Sequence, residues 1–231
     1  QPWSCRKSPY QYMEPTSAST CALPRPTRQA PVLAADDAQG GASCASSPAS
    51  AATDVQVLVA SWLSAKPQMI VWDFDMTVLR VHAFGEGVEV ADVEKRWMSD
   101  TCDADLFRSF VHDAQASGIE VGIASFGRRE VVNEYMKHIF ADATRTPFAM
   151  EKNIVTPSAL GMEDGTSVPA GKPRMLELLC ARASPAITDK SSVLFFDDDG
   201  DNVSDCKRAG YTNAFHVPQG FSRTAVRQLK R

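Results

Sequence analysis

The sequence lacks any long stripe of lysine and arginine and any long apolar run. Its 231 residues carry a formal net charge of −4 at pH 7, and no basic stripe indicates a nucleic-acid interface. No apolar stretch approaches the roughly 20 residues that a membrane-spanning helix requires. We therefore expect neither a nucleic-acid partner nor a membrane partner, and the sequence does not set an oligomeric state.

Closely spaced cysteines are also missing. The six cysteines are scattered, with no Cys-x-x-Cys pair. Zinc sites and disulfide frameworks both depend on regular cysteine spacing, so neither is predicted. Reduced thiols favour a cytoplasmic location. Because the chain does not begin with methionine, an organelle reached through a trimmed amino-terminal segment is the alternative.

Residues 1–53 have the composition of a tail. They are rich in Ala, Ser, Pro, Thr and Gln and show no sustained apolar period. Such a segment cannot bury enough apolar surface to offset the entropy lost on ordering. We predict a disordered tail or linker over residues 1–53 and a single domain over residues 54–231.

Strand and helix patterns alternate through that domain. The apolar runs predict strands near residues 69–72, 119–124, 153–155, 192–196 and 213–217. Helical spacing predicts helices over residues 54–65, 103–117, 127–140, 172–181, 202–209 and from 222 onward. This alternation indicates a doubly wound, mostly parallel α/β sheet with helices on both faces.

Two local features complete this prediction. Thr53 or Asp54 is expected to cap the first helix. Residues 78–90, which contain Gly85 and Gly87, favour a β-hairpin or a flap over a helix.

Two carboxylates follow the first buried strand with one residue between them. Residues 69–72 are Met-Ile-Val-Trp, typical of a parallel strand buried on both faces, and Asp73 and Asp75 come next. Ligands of open α/β sheets bind at the carboxyl ends of the strands. Two carboxylates this close resist joint ionisation unless a cation or a shared proton relieves their repulsion. A hard metal ion bound through oxygen is the simplest relief.

A second acidic group follows a later buried strand. The apolar run 192–196 ends in Asp197, Asp198 and Asp199. Neighbouring parallel strands lie roughly 5 Å apart. If the two strands are neighbours, both acidic groups can therefore reach one cation.

Ser125 and Lys172 are placed to reach the same edge. Ser125 follows strand 119–124 and precedes Phe126 and Gly127, where the amino end of a helix can approach an anion. Lys172 lies at the start of its own helix. Taken singly, a helix-capping serine and a solvated lysine explain these residues. Their order, after Asp-x-Asp-x-Thr and before the Asp pair, indicates a common site.

In this order of motifs the sequence resembles the haloacid dehalogenase superfamily of phosphohydrolases. The resemblance covers nearly all of the chain after about residue 68, and it is carried by Asp73-Phe-Asp75-Met-Thr77, Ser125, Lys172 and Asp197-Asp198 with Asn202. Within the superfamily, residues 195–202, 208–210 and the ending around Gly220 look most like the small magnesium-dependent phosphatases without a large cap.

The resemblance implies a Mg²⁺-dependent phosphatase. Asp73 would be the nucleophile that forms an aspartyl phosphate, and Asp75 would be the general acid and base. Mg²⁺ would be held by the Asp73 carboxylate, the Asp75 backbone carbonyl and the Asp198 carboxylate. Of the Asp pair, Asp198 is preferred as the ligand.

The resemblance also implies roles for the remaining motif residues. Lys172 would stabilise charge on the nucleophile and on the phosphoryl oxygens, and Ser125 would donate a hydrogen bond to one of those oxygens. Asp197 and Asn202 would orient Lys172 or metal-bound waters. The phosphate would be bound by Thr77, Ser125, Phe126, Gly127 and Lys172.

Substrate choice in such enzymes depends on inserted caps. Residues 78–100 leave room for a flap but hardly for a helical cap domain, and residues 140–170 are too short and broken for an α/β cap. We therefore expect an open site that takes a phosphorylated protein or a bulky small molecule. The residues near a leaving group would be His82, Glu86, Arg128 and Arg129. The alternatives are a phosphotransferase of the same superfamily and a non-catalytic phospho-binding protein on this fold.

Overall fold

A central sheet of five parallel strands organises the chain in the computed structural model. The strands are β1 (Met69–Trp72), β2 (Glu120–Ala124), β3 (Ile154–Val155), β4 (Val193–Asp197) and β5 (Asn213–His216). Their order across the sheet is β3-β2-β1-β4-β5, and every pairing is parallel. In the register of the sheet, Trp72 lies beside Ile123 on one side and Phe196 on the other. The segments that follow β2, β1 and β4 therefore leave the sheet side by side.

The structure describes residues 48–141 and 146–229, without the side chains of residues 48–53 and 150. Most of the predicted tail, residues 1–47, lies outside the described residues. The described residues belong to one compact unit, Ala45–Arg231. Its helices are α1 (Pro48–Ser64), α2 (Val90–Asp100), α3 (Ala104–Ala116), α4 (Arg129–Ile139), α5 (Met150–Asn153), α6 (Gly171–Arg182), α7 (Gly200–Arg208) and α8 (Arg223–Gln228).

Alternate residues of β1 pack into two separate apolar clusters, one on each face of the sheet. Ile70 and Trp72 belong to the cluster on one face, with residues from α1, α3, α4 and α8. Met69 and Val71 belong to the cluster on the other face, with residues from α6 and α7. All four β1 residues are at most 2% exposed, because both faces of the strand are covered. The predicted doubly wound α/β fold is confirmed.

Helix α1 begins earlier than the sequence pattern indicated. It starts at Pro48, so Thr53 and Asp54 lie inside it and the predicted cap is wrong. Alanine is the strongest helix former, and the Ala-rich segment 49–52 extends the helix backwards. Proline is tolerated at the first helical position because its missing N–H would have no partner there.

Residues 78–90, for which a β-hairpin or a flap was predicted, do not form a β-hairpin. Residues 78–89, here named the flap, consist of turns, with one antiparallel bridge between Leu79 and Thr101. The eleven-residue helix α2 follows, where no helix was predicted. Glu89 and Asp92 form a capping box at its amino end, although Glu-x-x-Asp is not the Ser/Thr-x-x-Glu/Gln pattern by which such a box is recognised in a sequence.

Helix α2 packs on α4 through polar and aromatic contacts. The Tyr135 hydroxyl donates to Asp100 Oδ2 at 2.6 Å, and the rings of Trp97 and His138 are stacked with centroids 6.4 Å apart. Within the described residues, no second domain covers the carboxyl edge of the sheet. The insertions after β1 and β2 are small elements packed against the sheet.

The buried amide of Asn153 joins three backbone segments. Its Nδ2 donates to the carbonyls of Val121 and Pro147 at 3.0 and 2.8 Å, and its Oδ1 accepts from the Ala149 N–H at 2.6 Å. We expect Asn153→Ala to lower the free energy of unfolding by about 2–4 kcal/mol, because it strands these groups. Urea denaturation measures the change. The matched control is Asn133→Ala on α4, whose side chain makes no hydrogen bond within the described residues; equal losses in the two variants would contradict this expectation.

Candidate active site at the carboxyl edge of the sheet

Three strands deliver acidic and hydroxyl side chains to one edge of the sheet. Asp73 continues β1, with its N–H bonded to the Phe196 carbonyl at 2.8 Å. Ser125 follows β2 directly, and Asp197 is the last residue of β4. One carboxylate oxygen from each of Asp73, Asp197 and Asp198 lies within 4.8 Å of the others. The acidic groups after β1 and β4 thus form one cluster.

Lys172 enters this cluster from α6 and is buried, with 1% of its surface exposed. Its Nζ donates to Asp73 Oδ1 and, at 2.7 Å, to the Ala124 carbonyl. Asp197 Oδ2 lies 3.5 Å away, and the ring of Phe126 lies 4.6 Å from the ammonium. A buried ammonium with two carboxylates, a carbonyl and an aromatic face around it is fixed in position as well as compensated in charge.

The carboxylates of the cluster are poorly solvated. Burial raises the pKa of the Asp73 carboxyl from its ordinary value of 3.8 to about 7, against the opposing charge of Lys172. Burial likewise raises the pKa of Asp197 to about 6, and burial together with the charge of Asp197 raises the pKa of Asp198. Burial alone would lower the pKa of Lys172, but the carboxylates of Asp73 and Asp197 raise it, so Lys172 stays a cation. The cluster holds more acidic groups than its single cation can balance.

Thr77 ties the two acidic segments together. The Asp198 N–H donates to its hydroxyl oxygen at 2.9 Å. The hydroxyl hydrogen has two acceptors within reach, Asp198 Oδ1 at 3.0 Å and Asp73 Oδ2 at 3.5 Å. Because one hydrogen serves one strong bond, the shorter contact to Asp198 dominates. Thr77 therefore orients Asp198 rather than facing open solvent, and it is fully buried.

The flap holds the carboxylate of Asp75. The Ala83 N–H donates to Asp75 Oδ1 at 3.0 Å, and His82 Nδ1 lies 3.6 Å from Asp75 Oδ2. The Gly85 N–H donates to the same Nδ1 at 2.8 Å. That nitrogen is therefore an acceptor, which places the hydrogen of the neutral ring on Nε2. Burial raises the pKa of Asp75, as a proton-carrying acid requires.

Gly127 lies close to both a hydroxyl and a carboxylate, and the narrow space between them is here named the cradle. A Cβ at this position would stand 3.3 Å from Ser125 Oγ and 3.4 Å from Asp75 Oδ2. The Gly127 N–H donates to Ser125 Oγ at 3.0 Å, while no described residue accepts the hydrogen of the Ser125 hydroxyl. A buried donor without a protein acceptor is suited to an oxygen of a bound ligand.

Phe84 covers one side of this cradle. Its Cβ lies 4.0 Å from the point where a Cβ of Gly127 would stand. Its ring rests on Gly165, where an added Cβ would fall 1.8 Å from the ring carbon Cζ. The flap is thus docked on the loop before α6 through the ring of Phe84.

Asn202 and Asp199 engage the carboxylate of Asp197. Asn202 Nδ2 lies 3.1 and 3.2 Å from its two oxygens, and the Asp199 N–H donates to Oδ1 at 2.8 Å. With Lys172 near Oδ2, both oxygens of Asp197 have donors. Asp198 accepts from Thr77 at Oδ1, and no described residue donates to its Oδ2. Asp198 therefore has the freer carboxylate of the two.

His216 also lies at the site, although it was not predicted as a site residue. Its Nε2 lies 2.8 Å from the Asp198 carbonyl, to which it donates. His216 stands beside Asp197 in the register of β4 and β5. The signal in the sequence was a histidine near the end of the predicted strand 213–217, whose neighbour in the sheet is the strand that ends at Asp197.

Two of the charged residues proposed near a leaving group, Glu86 and Arg128, form ion pairs within the protein. Glu86 pairs with Arg96 at 2.6 Å, and Arg128 pairs with Glu89 at 2.8 Å. The backbone N–H of Arg129 donates to Asp164 at 2.9 Å. These pairs connect the flap to α2 and α4.

Comparison with known proteins adds no relative. No model of a known protein family matches the chain, and no curated protein matches it in sequence. Among the described residues, no helix is both long and apolar enough to cross a membrane. The carboxyl edge thus carries a cluster of three carboxylates, the buried cation of Lys172 and the buried hydroxyl of Ser125, which has no acceptor among the described residues.

Proposed function

We propose that this chain is a Mg²⁺-dependent phosphomonoester hydrolase that works through an aspartyl phosphate on Asp73. The observation that carries the proposal is the pair of contacts at Asp73: buried Lys172 holds Oδ1, while among the described residues Oδ2 has only a 3.5 Å contact to Thr77. One oxygen is thereby fixed and the other is left to react. The motif order that resembles the haloacid dehalogenase superfamily supports the same assignment.

The residues at the edge fit a hard divalent cation. The donors are oxygens only, the cluster has excess acidic groups, and Asp198 has an oxygen without a donor among the described residues. Asp73, Asp198 and the Asp75 carbonyl would hold Mg²⁺, as the resemblance implies. When bound, the ion neutralises the charge of the phosphoryl group and of the nucleophile.

The carboxylates of Asp73 and Asp75 have separate roles in the proposed reaction. Asp73 attacks phosphorus and the bond to the ester oxygen breaks, while Asp75 gives its proton to the departing alcohol. Asp75 then takes a proton from the water that attacks the aspartyl phosphate, which releases inorganic phosphate and restores both side chains. The Ala83 N–H fixes Asp75 for both transfers, and burial favours its protonated form.

Two hydrogen-bond donors with fixed positions, Lys172 and Ser125, are available to the phosphoryl oxygens. Lys172 lies against Asp73, and the Ser125 hydroxyl lies at the Gly127 cradle, so both can stabilise negative charge without moving. Phe126 packs on the Lys172 ammonium and Thr77 orients Asp198. Asp197 Oδ2 lies 3.5 Å from the Lys172 ammonium, and Asn202 donates a hydrogen bond to the Asp197 carboxylate. A phosphorylated protein or a bulky small molecule is the proposed substrate, because no large cap stands over the edge in the described part of the chain.

Hydrolysis of 4-nitrophenyl phosphate with and without Mg²⁺ tests this proposal. Asp73→Asn should reduce turnover by on the order of 10³-fold or more, because no nucleophile remains. The matched control is Asp199→Asn in the same acidic run; an asparagine keeps the cap that Asp199 provides to Asp201 N–H, and turnover should change little.

Chelation should abolish the activity of the parent protein and added Mg²⁺ should restore it. Turnover that survives Asp73→Asn would refute the mechanism. Phosphoryl transfer to added alcohols in preference to water would favour the phosphotransferase. Phosphate binding without any turnover would favour a non-catalytic phospho-binding protein.

A further inference from the structure

Residues 82–88 of the flap form a turn that is closed by its own hydrogen bonds. The Val88 N–H donates to the Ala83 carbonyl at 3.0 Å. The Ala83 N–H in turn donates to Asp75 Oδ1 at 3.0 Å. Because these bonds join the end of the turn to Ala83, a displacement of the turn would move the donor that holds the Asp75 carboxylate.

Arg128, the residue before α4, holds this turn at one end. Its Nη2 donates to the Val88 carbonyl, and its Nη1 pairs with Glu89 Oε1 at 2.8 Å. Since the Val88 N–H bonds to Ala83, a chain of hydrogen bonds runs from the guanidinium to the Asp75 carboxylate. A guanidinium that binds a carbonyl and a carboxylate together fixes the direction of both contacts as well as their length.

Arg96 holds the same turn from α2. Its Nη2 donates to Glu86 Oε2 at 2.6 Å, and its Nε donates to Asp100 Oδ2 at 2.9 Å. Asp100 is buried and also accepts from the Tyr135 hydroxyl, so the guanidinium is anchored to the core. The Glu86 N–H donates to the carbonyl of His82, the first residue of the turn, at 2.9 Å.

Stability does not account for these two ion pairs. The side chains of Glu86 and Glu89 are 46% and 65% exposed, and ion pairs of exposed groups contribute little to the free energy of unfolding. Geometry matters more, because a general acid must lie within hydrogen-bond reach of the departing oxygen. A displacement of about 1 Å in a catalytic arrangement can cost roughly 100-fold in rate.

We infer that Arg128 and Arg96 are positioning residues that act on the general acid Asp75 through the flap. The inference rests on the proposed function and adds the residues that keep its acid in place. Without either guanidinium the turn can shift, and the Ala83 N–H then no longer fixes Asp75. The affected step is the transfer of the Asp75 proton to the alcohol oxygen while the bond from that oxygen to phosphorus breaks.

Two esters of nearly the same shape, phenyl phosphate and 4-nitrophenyl phosphate, test the inference. 4-Nitrophenolate is a stabilised anion that departs with little help from an acid, whereas the more basic phenolate depends on the proton. The measured quantity is kcat/KM for phenyl phosphate divided by kcat/KM for 4-nitrophenyl phosphate. In Arg128→Met this ratio should fall about tenfold, a part of the roughly 10²–10⁴-fold that general acid catalysis contributes. Asp75→Asn, which removes the acid, should give the largest fall.

Glu86→Ala is the second variant, and it releases the turn from Arg96. Because Glu86 is exposed, the substitution leaves the core intact, and the ratio should again fall, by a smaller factor. Lys152→Met is the matched control. It removes an ion pair of 3.1 Å with Glu120 at the amino end of β2, so the ratio should equal that of the parent protein.

The outcomes separate the two proposals. If the parent protein hydrolyses neither ester, the proposed function fails and the inference falls with it. If the parent hydrolyses both esters but Arg128→Met and Glu86→Ala keep its ratio, the inference alone is overturned. Equal losses of kcat/KM for the two esters have this meaning too, since a lost substrate contact or a damaged fold affects esters of the same shape alike. A lower ratio in Lys152→Met would also overturn the inference.

Discussion

Replacing Lys172 with methionine should lower the free energy of unfolding by about 3–5 kcal/mol, because it removes the cation from a buried ion cluster. Methionine fills a similar volume but leaves the carboxylates of Asp73 and Asp197 facing each other without compensation. The Ala124 carbonyl also loses its donor. The proposed hydrolase should lose turnover by on the order of 10³-fold, since the nucleophile is no longer held and the phosphoryl charge is no longer stabilised.

Urea denaturation and aryl phosphate hydrolysis measure these two effects. Lys137→Met is the matched control: Lys137 is exposed and pairs with Glu134 at 2.7 Å. Such a pair contributes about 1 kcal/mol or less, so the control should remain close to the parent in stability and in turnover. A Lys172→Met protein as stable as the control would show that the buried carboxylates do not depend on this cation.

Substituting alanine for Gly220 should lower the free energy of unfolding by about 2–4 kcal/mol. Gly220 has φ +73°, and a Cβ there would stand 2.3 Å from Cys102 Sγ and 3.1 Å from the carbonyl oxygens of Met76 and Thr77. The backbone behind the Asp75 turn must therefore shift. Because Thr77 orients Asp198, the shift should also reduce turnover.

Gly161→Ala isolates the contribution of the backbone conformation. Gly161 has φ +76°, and a Cβ there would meet no atom within 4 Å, so this control should lose only about 1–2 kcal/mol. Adding Cys102→Ala to Gly220→Ala should restore part of the difference, because it removes the atom in closest contact. Equal losses at Gly220 and Gly161, measured by chemical denaturation, would refute the steric explanation.

The uninterrupted apolar runs made the core of the fold predictable. Residues 69–72 and 193–197 form adjacent strands, and their acidic successors meet, as strand pairing at a common edge requires. Helix α2 was not predicted because it has a weak apolar pattern: Val93 is buried, Trp97 is half-buried, and its other buried residue is Asp100. A buried aspartate paired with Tyr135 cannot be recognised from periodicity alone.

The site could be predicted only at the level of side-chain identity. The order of Asp73, Ser125, Lys172 and Asp198 indicated a common location, because each follows or begins an element at the same edge. The support for these residues comes largely from backbone groups, such as the Ala83 N–H on Asp75 and the Asp198 carbonyl at His216. Such contacts depend on the register of β4 and β5 and on the path of the flap, which residue types alone do not specify.

The position of β1 in the middle of the sheet also bears on how the protein is made. Its second partner, β4, begins 124 residues later, as Val193 pairs with Met69. During translation, one side of an apolar strand therefore stays unpaired until β4 leaves the ribosome, and unpaired strand edges promote aggregation. A nascent chain paused before β4 would be a substrate for chaperones, and the acidic cluster would assemble only after β4 has been synthesised.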